Sequence, residues 1–190
     1  PLLTAASERR ASSDLRQAIR LLDIHEKAAN RDELSLDDDH RLRAQILRSE
    51  ILSIMGNTAE SGELAQTTLD LARKLDQRYL IGASLRVLGV STMRSGHTQE
   101  AWEMFEEALG HLESIQADDL VVQTHLNLLN LSRHLGWWDQ AKTHADDSLR
   151  SAKDLQSDLL IGNAHFYTGV LFYQRGELTL ALEHYQNAAQ

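Results

Sequence analysis

The stretch from Gly96 to Gly136, GHTQEAWEMFEEALGHLESIQADDLVVQTHLNLLNLSRHLG, decides the fold because it is one copy of a unit that recurs along the chain. A glycine returns every 40 residues, at Gly56, Gly96, Gly136 and Gly176. Only 10 of the 190 residues are glycine, so few series of four glycines at one fixed spacing are expected by chance. A fixed period of this length is typical of a solenoid built from identical supersecondary units.

Other columns of the repeat also keep their character from one copy to the next. Small residues follow each glycine by five positions, where neighbouring helices must approach closely: Ser61, Ala101, Ala141 and Ala181. Apolar residues fill later columns: Leu69, Leu109 and Leu149; Leu75, Ile115 and Leu155; Leu80, Leu120 and Leu160. We therefore expect each unit to be a pair of helices, with helix A ending at the glycine, where a positive φ is needed.

Composition narrows the class of protein. With one proline and no cysteine, the chain reads as nearly all helix, without a disulfide or a cysteine-based metal site. No apolar run approaches the ~20 residues that span a bilayer, and PLLTAASERR lacks the features of a secretory signal. The net charge of −9 argues against nucleic-acid binding. We expect a cytoplasmic protein that binds neither nucleic acid nor membrane.

The pattern also predicts the domain organisation. Residues 1–40 read as a leading helix, with an apolar stripe from Leu15 to Ala29, followed by the acidic link RDELSLDDDH. Residues 41–190 read as one array of four hairpins, at 41–78, 79–117, 118–157 and 158–190. Polar residues at the joints are predicted N-caps: Asp38 or Asp39, Asp76, Asp118 and Asp119, Ser157 and Asp158. The last hairpin lacks a polar capping helix, so we expect a longer protein or a covering partner chain.

Over roughly residues 41–190 the unit resembles the tetratricopeptide repeat (TPR). The second unit carries the family's positions at Leu85, Leu88-Gly89, Gly96, Ala101, Phe105 and Ala108. The fourth unit carries them at Gly169, Phe172, Gly176, Ala181, Tyr185 and Ala188. The third unit has Leu129 and Ala145 where glycine and an aromatic residue are usual, and no unit has the family's late proline. The resemblance implies an all-α fold, a right-handed α-solenoid of antiparallel helix hairpins with about nine helices.

The 40-residue length is similar to that of long-helix TPR variants, as in kinesin light chains, Leu-Gly-Asn-repeat scaffolds and bacterial regulators such as maltose-type activators and Rap-type quorum receptors. Segments such as LARKLDQRYLIGASLRVLG are most similar to the bacterial ones. The resemblance implies a peptide- or protein-binding scaffold, acting as the sensory or partner-docking segment of a larger bacterial signalling or transcription-regulatory protein. Two alternatives are a structural array that forms homodimers through its C-terminal repeat, and a regulatory domain attached to an enzyme outside this segment.

In TPR proteins the A helices line the inner groove, and the matching positions here are polar, basic and aromatic. The candidate peptide-binding residues are Arg43, Arg86, Gln123, Asn127, Asn130, Arg133, Asn163, Phe166, Tyr167 and Tyr173. Amides can hold a peptide backbone, arginines favour an acidic partner or a free carboxylate, and aromatic rings serve as anchors. The alternative is that the asparagines only bridge adjacent helices and that some of the aromatic rings are core.

Other residues invite further hypotheses. His125 and His165 share one column and could lie close together, but we expect interior imidazoles, no metal site and no cofactor. Trp137 replaces a polar residue after the turn, which suggests a contact with another chain, while Trp138 is expected to pack between hairpins. No nucleophile elbow, phosphate-binding loop or zinc-protease helix is present, so we expect no enzyme activity in this segment.

Overall fold

The computed structural model describes residues 14–30 and 38–189 of the chain. Within these ranges the chain forms nine helices and no strand. The helices are α1 (Leu15–Asn30), α2 (Asp38–Ile54), α3 (Thr58–Lys74), α4 (Arg78–Arg94), α5 (Thr98–Glu113), α6 (Asp118–Leu135), α7 (Trp138–Asp154), α8 (Asp158–Gln174) and α9 (Leu178–Ala188). Most of the predicted acidic link, residues 31–37, lies outside the described residues, and α2 begins three residues before the predicted start at 41.

The chain divides into two compact units between His97 and Thr98. In the first unit, α2 packs against α1, α3 and α4. In the second unit, α6 packs against α5, α7 and α8, and α9 packs against α8. The hairpins α2–α3, α6–α7 and α8–α9 follow directly from the predicted repeat, in which short turns join antiparallel neighbours.

Each A helix ends in a glycine with the left-handed conformation, as predicted. The φ angles of Gly56, Gly96, Gly136 and Gly176 are 88°, 89°, 72° and 78°. After α6, the Gly136 N–H donates to the Arg133 carbonyl at 3.3 Å and the Trp137 N–H donates to the Ser132 carbonyl at 2.9 Å. This pair of bonds is the Schellman motif, which satisfies carbonyls that the helix end leaves unpaired.

The second helix of each repeat unit is its B helix: α3, α5 and α7 are the ones followed by a further unit. The turns that follow these B helices repeat the same motif without glycine. Asp76, Gln116 and Gln156 have φ angles of 50°, 55° and 53°. The Gln156 N–H donates to the Lys153 carbonyl at 3.0 Å, and the Ser157 N–H donates to the Ala152 carbonyl at 3.3 Å. The left-handed position therefore recurs every 20 residues, twice as often as the glycines indicate.

These turns correct several of the predicted N-caps. Asp76 occupies the left-handed position, and Gln77 and Ala117 precede α4 and α6 without a side-chain cap. Ser157 is a true N-cap, because its Oγ accepts from the Leu160 N–H at 3.4 Å. The remaining predicted caps lie in the first turns of helices, where a carboxylate interacts favourably with the positive end of the helix dipole. They are Asp38, Asp39, Asp118, Asp119 and Asp158.

Each unit has its own apolar core. In the first unit the leading helix is packed rather than loose, since Ala18 and Leu22 of α1 are buried against Leu47 and Ile51 of α2. In the second unit one cluster joins three helices: Val122, Leu126, Leu129, Ala141, Ala145, Ala152, Leu160, Ala164 and Leu171. Burying each leucine contributes about 1.5–3 kcal/mol. Among the described helices, none combines the length and the apolar character that crossing a membrane requires.

Candidate binding surface

The second unit carries the predicted polar face of α6. Gln123, Asn127, Asn130 and Arg133 follow one another at intervals of three or four residues, so their side chains project from one face of the helix. All four are half-buried. They are thus partly desolvated but still reachable, which suits residues that hydrogen-bond a ligand.

Arg133 has a guanidinium group that is only partly satisfied. Its Nη2 donates to Asn130 Oδ1 and lies 3.3 Å from His134 Nε2, whereas its buried Nε has no hydrogen-bond partner. Burial lowers the pKa of Arg133, and the phenols of Tyr167 and Tyr185 act in the opposite direction. Among the described residues no carboxylate forms an ion pair with Arg133, so its charge is uncompensated locally.

Asn127 presents a second unsatisfied donor on the same face. Its Nδ2 is buried and has no hydrogen-bond partner. Leaving a buried donor unpaired costs about 1–3 kcal/mol, which a carbonyl or carboxylate oxygen at that position would recover. Asn127 and Arg133 therefore each carry one buried donor atom without a hydrogen-bond partner on this face of α6.

The aromatic candidates lie on α8 and differ in exposure. Phe166 and Tyr173 are 50% and 61% exposed, while Tyr167 is half-buried and meets the edge of Phe166 at 5.5 Å between ring centroids. Asn163 and Phe166 line a pocket of about 310 Å³ beside Gly162 and Ala188. An exposed ring at the edge of a small pocket, as Phe166 provides, is suited to hold an apolar side chain.

Two predicted arginines lie in the first unit and are already paired there. Arg43 donates from Nε to Asp39 Oδ2 at 2.6 Å, and its guanidinium lies 4.5 Å from the centre of the Tyr79 ring. Arg86 is 7% exposed and forms an ion pair with Glu50. The sequence predicts both as cations for a partner, whereas the fold uses each of them within its own unit. Of the three candidate arginines, Arg133 alone has no acidic partner in the described part of the chain.

Phe166 departs from its column. Leu126, one period earlier in the sequence, is 7% exposed, and Ile46, three periods earlier, is 6% exposed. Phe166 itself is 50% exposed. Leu159, Leu178 and Leu182 are likewise exposed around α8 and α9. Phe166 is thus an apolar side chain at a position that earlier copies of the repeat bury, whereas the positions of Leu159, Leu178 and Leu182 hold polar or only partly buried residues in the earlier copies.

Trp137 and Trp138 are both partly exposed, at 37% and 38%. Trp137 packs edge-on against Trp102 of α5, with ring centroids 5.3 Å apart. Trp137 is thus accessible in part, and its role in contacting another chain stays a prediction. Trp138 is more exposed than a residue packed between hairpins would be.

The two histidines that share a column do not pair with each other. His125 lies with its Nδ1 3.2 Å from Nδ1 of His144, and His165 lies with its Nδ1 3.0 Å from Nδ1 of His184. Burial lowers the pKa of His144 to about 4 and also lowers the pKa of His125. The signal for these contacts was present in the sequence, because His144 and His184 also repeat at 40 residues.

Comparison with known proteins shows the fold. Neither a protein-family model nor a curated protein sequence matches the chain. The crystal structure of apo RapI matches 98% of this chain and 67% of its own, with a TM-score of 0.71 and 15% identity. The Rap conjugation gene regulator of the plasmid pLS20, in complex with a Phr peptide, matches 98% of this chain and 51% of its own, with a TM-score of 0.84 and 14% identity.

A third match is the kinesin-light-chain TPR-like repeat structure from Podosopora anserina. It covers 99% of this chain and 92% of its own, with a TM-score of 0.63 and 17% identity. This chain folds as a TPR-like helical repeat. The predicted fold class is confirmed: an all-α helical solenoid of the TPR type. The TPR-like chain spans only half to two thirds of the two Rap proteins it matches.

Proposed function

We propose that this chain is a peptide- or protein-binding TPR-like scaffold, and that Arg133 receives an acidic side chain or a C-terminal carboxylate of the partner. The observation that carries this proposal is the guanidinium of Arg133, which is half-buried, has an unsatisfied Nε and lacks a carboxylate partner among the described residues. A carboxylate is the group that best matches a guanidinium fork.

The neighbouring side chains extend this anchor into a surface for a short peptide. Asn127 and Asn130 offer amide groups that hydrogen-bond a peptide backbone, and Gln123 continues the same face of α6. Phe166 and Tyr173 supply exposed rings for apolar side chains. A hydrogen bond to a charged group contributes about 1.5–3 kcal/mol, so Arg133 is expected to dominate the polar part of the affinity.

The likeness to Rap structures supports a regulatory setting. One of them was solved with a Phr peptide, and this chain matches about half of that protein. We therefore propose that this TPR-like segment is the sensory or partner-docking part of a larger signalling or transcription-regulatory protein.

The test is a screen of displayed peptides with free C-termini against the purified chain, followed by titration of the selected peptides. The double substitution Asn130→Ala and Arg133→Ala should weaken these peptides by about tenfold or more, the equivalent of 1.4 kcal/mol. Lys142→Ala is the matched control, because it removes one cation from an exposed pair with Asp146 on α7. Circular dichroism checks that all variants are folded.

Equal peptide affinity of the wild type and the double variant would show that this face of α6 does not bind the peptide. Amidating the peptide C-terminus distinguishes the two kinds of carboxylate. If amidation leaves the affinity unchanged while the double variant loses it, Arg133 receives an acidic side chain instead.

A second candidate function is self-association through the last hairpin. The exposed leucines Leu159, Leu178 and Leu182 favour it, since a second copy of the chain could cover their apolar side chains. Light scattering at rising concentration should then show a dimer, and Leu182→Glu should abolish it. A monomer at all concentrations would leave peptide binding as the only proposal.

A further inference from the structure

Three potential metal ligands converge between α6 and α7 in the second unit. His125 projects from α6, and His144 and Asp147 project from α7, one turn apart. One nitrogen of each ring and one carboxylate oxygen all lie within 4.8 Å of one another. His125 is buried, and the other two residues are half-buried. The cluster is therefore largely shielded but open on one side.

The spacing of the ring nitrogens fits a bound metal ion. The two Nδ1 atoms are 3.2 Å apart. Two Zn–N bonds of about 2.0–2.1 Å place their nitrogens at that separation when the N–Zn–N angle is about 100°, close to tetrahedral. An ion could thus enter between the rings with little movement of either helix, replacing the direct contact between the imidazoles.

We propose that His125, His144 and Asp147 form a binding site for a divalent transition-metal ion, best suited to Zn²⁺, with water completing the coordination. Two imidazoles and a carboxylate are ligands that Zn²⁺ accepts in proteins, and an ion held by them would link α6 to α7. Imidazole binds a metal through the lone pair of its neutral form, and two such rings face each other here. The proposal is independent of peptide binding.

Arg150 competes with the metal for Asp147. Its Nη2 donates to Asp147 Oδ1 at 2.5 Å, and its side chain is 69% exposed. An exposed ion pair of this kind contributes little, about 0–1 kcal/mol, so Asp147 can turn to a metal at small cost. Removing Arg150 should therefore favour metal binding, an effect that a purely structural role of the cluster would not produce.

The next copy of the repeat supplies an internal control. His165 and His184 are arranged in the same way, with their Nδ1 atoms 3.0 Å apart. The position that corresponds to Asp147, however, is Asn187, whose neutral amide is a poor ligand for Zn²⁺. In the described part of the chain, three such ligands converge only at the cluster of His125, His144 and Asp147.

The test is calorimetric titration of ZnCl₂ into the chelator-treated, tag-free chain at neutral pH. We expect one Zn²⁺ per chain, and Asp147→Asn, which copies Asn187, should weaken it by about tenfold or more, since even partners outside the ligand shell are typically worth 10–100-fold. Arg150→Ala should bind Zn²⁺ more tightly than wild type, and His184→Asn should change nothing.

A second readout uses Trp102, whose ring centroid lies 5.6 Å from that of His144. Binding of Ni²⁺, a quenching ion, should reduce the tryptophan fluorescence of wild type, and Asp147→Asn should shift that titration to higher concentration. The proposal is overturned if Zn²⁺ shows no saturable binding, if Asp147→Asn binds as wild type does, or if His184→Asn removes the site.

Discussion

At the scale of single residues, the two helices of the hairpins α6–α7 and α8–α9 compensate for each other's side-chain size. Where one helix carries a small residue in this contact, the facing helix carries a large one. A Cβ added at Gly169 of α8 would lie 2.8 Å from ring carbons of Tyr185 in α9, so glycine there makes room for the ring. One period earlier, Leu129 and Ala145 are both fully buried in one cluster, with the large residue on the A helix instead. The third unit's departure from the TPR pattern is thus a compensated exchange of large and small residues.

This exchange predicts a strong coupling between two positions. Gly169→Leu alone should destabilise the chain by about 1–3 kcal/mol through overpacking, despite the better helix propensity of leucine. Adding Tyr185→Ala, which copies Leu129 and Ala145, should recover most of that loss. Urea unfolding of both single variants and the double variant measures the coupling. A double variant no more stable than Gly169→Leu would contradict the explanation.

At the scale of helices and turns, the sequence predicts the A-helix ends better than the B-helix ends. Glycine marks the first kind because it adopts positive φ without strain, whereas Asp76, Gln116 and Gln156 give no such signal. Contacts across helices are harder still to predict. Arg86 meets Glu50 and His125 meets His144 because of how helices cross, which periodicity alone does not specify. The α6 face could be predicted, since it depends only on spacing along one helix.

The left-handed turns at non-glycine residues lead to a pair of predictions in which the same substitution has opposite effects on stability at two positions. Gln156→Gly should stabilise the chain by about 0.5–1 kcal/mol, because it relieves a left-handed non-glycine residue at the price of a more flexible unfolded chain. Gln66→Gly, the same substitution in the middle of α3, should destabilise it by about 1 kcal/mol. Thermal unfolding of the two variants checks the pair. Destabilisation by both would show that the turn at Gln156 carries no strain.

At the scale of the whole molecule, periodicity predicts the fold class and the order of the helices, but not the division between His97 and Thr98. The repeat pattern continues through that point without interruption. The period indicates which residues of a helix face a neighbouring helix, and it does not indicate where one compact unit ends and the next begins. The same limit applies to the charges. A groove of three arginines follows from the column positions, yet pairing with Asp39 and Glu50 leaves Arg133 as the candidate anchor.

The second unit should lose stability as the pH falls from 7 to 5. Burial lowers the pKa of both His165 and His184 below the usual 6.5. Lys153 of α7 also lowers both, whereas Glu183 of α9 raises both, and Asp146 of α7 raises the pKa of His184. Well above pH 6.5 neither state binds these protons, and the unfolded chain begins to bind them as the pH approaches 6.5. Below it the unfolded chain binds them first, so stability declines until the pH passes below the folded-state pKa values.

Thermal unfolding between pH 5 and 7.5 measures this decline, and His184→Gln should make it shallower. The remaining slope in that variant comes from the other histidines with lowered pKa, among them His125 and His144. His97→Gln, the same substitution in an exposed turn of the first unit, controls for the change of residue type. Identical slopes in wild type and His184→Gln would mean that the His165–His184 pair takes up protons as readily in the folded chain as in the unfolded one.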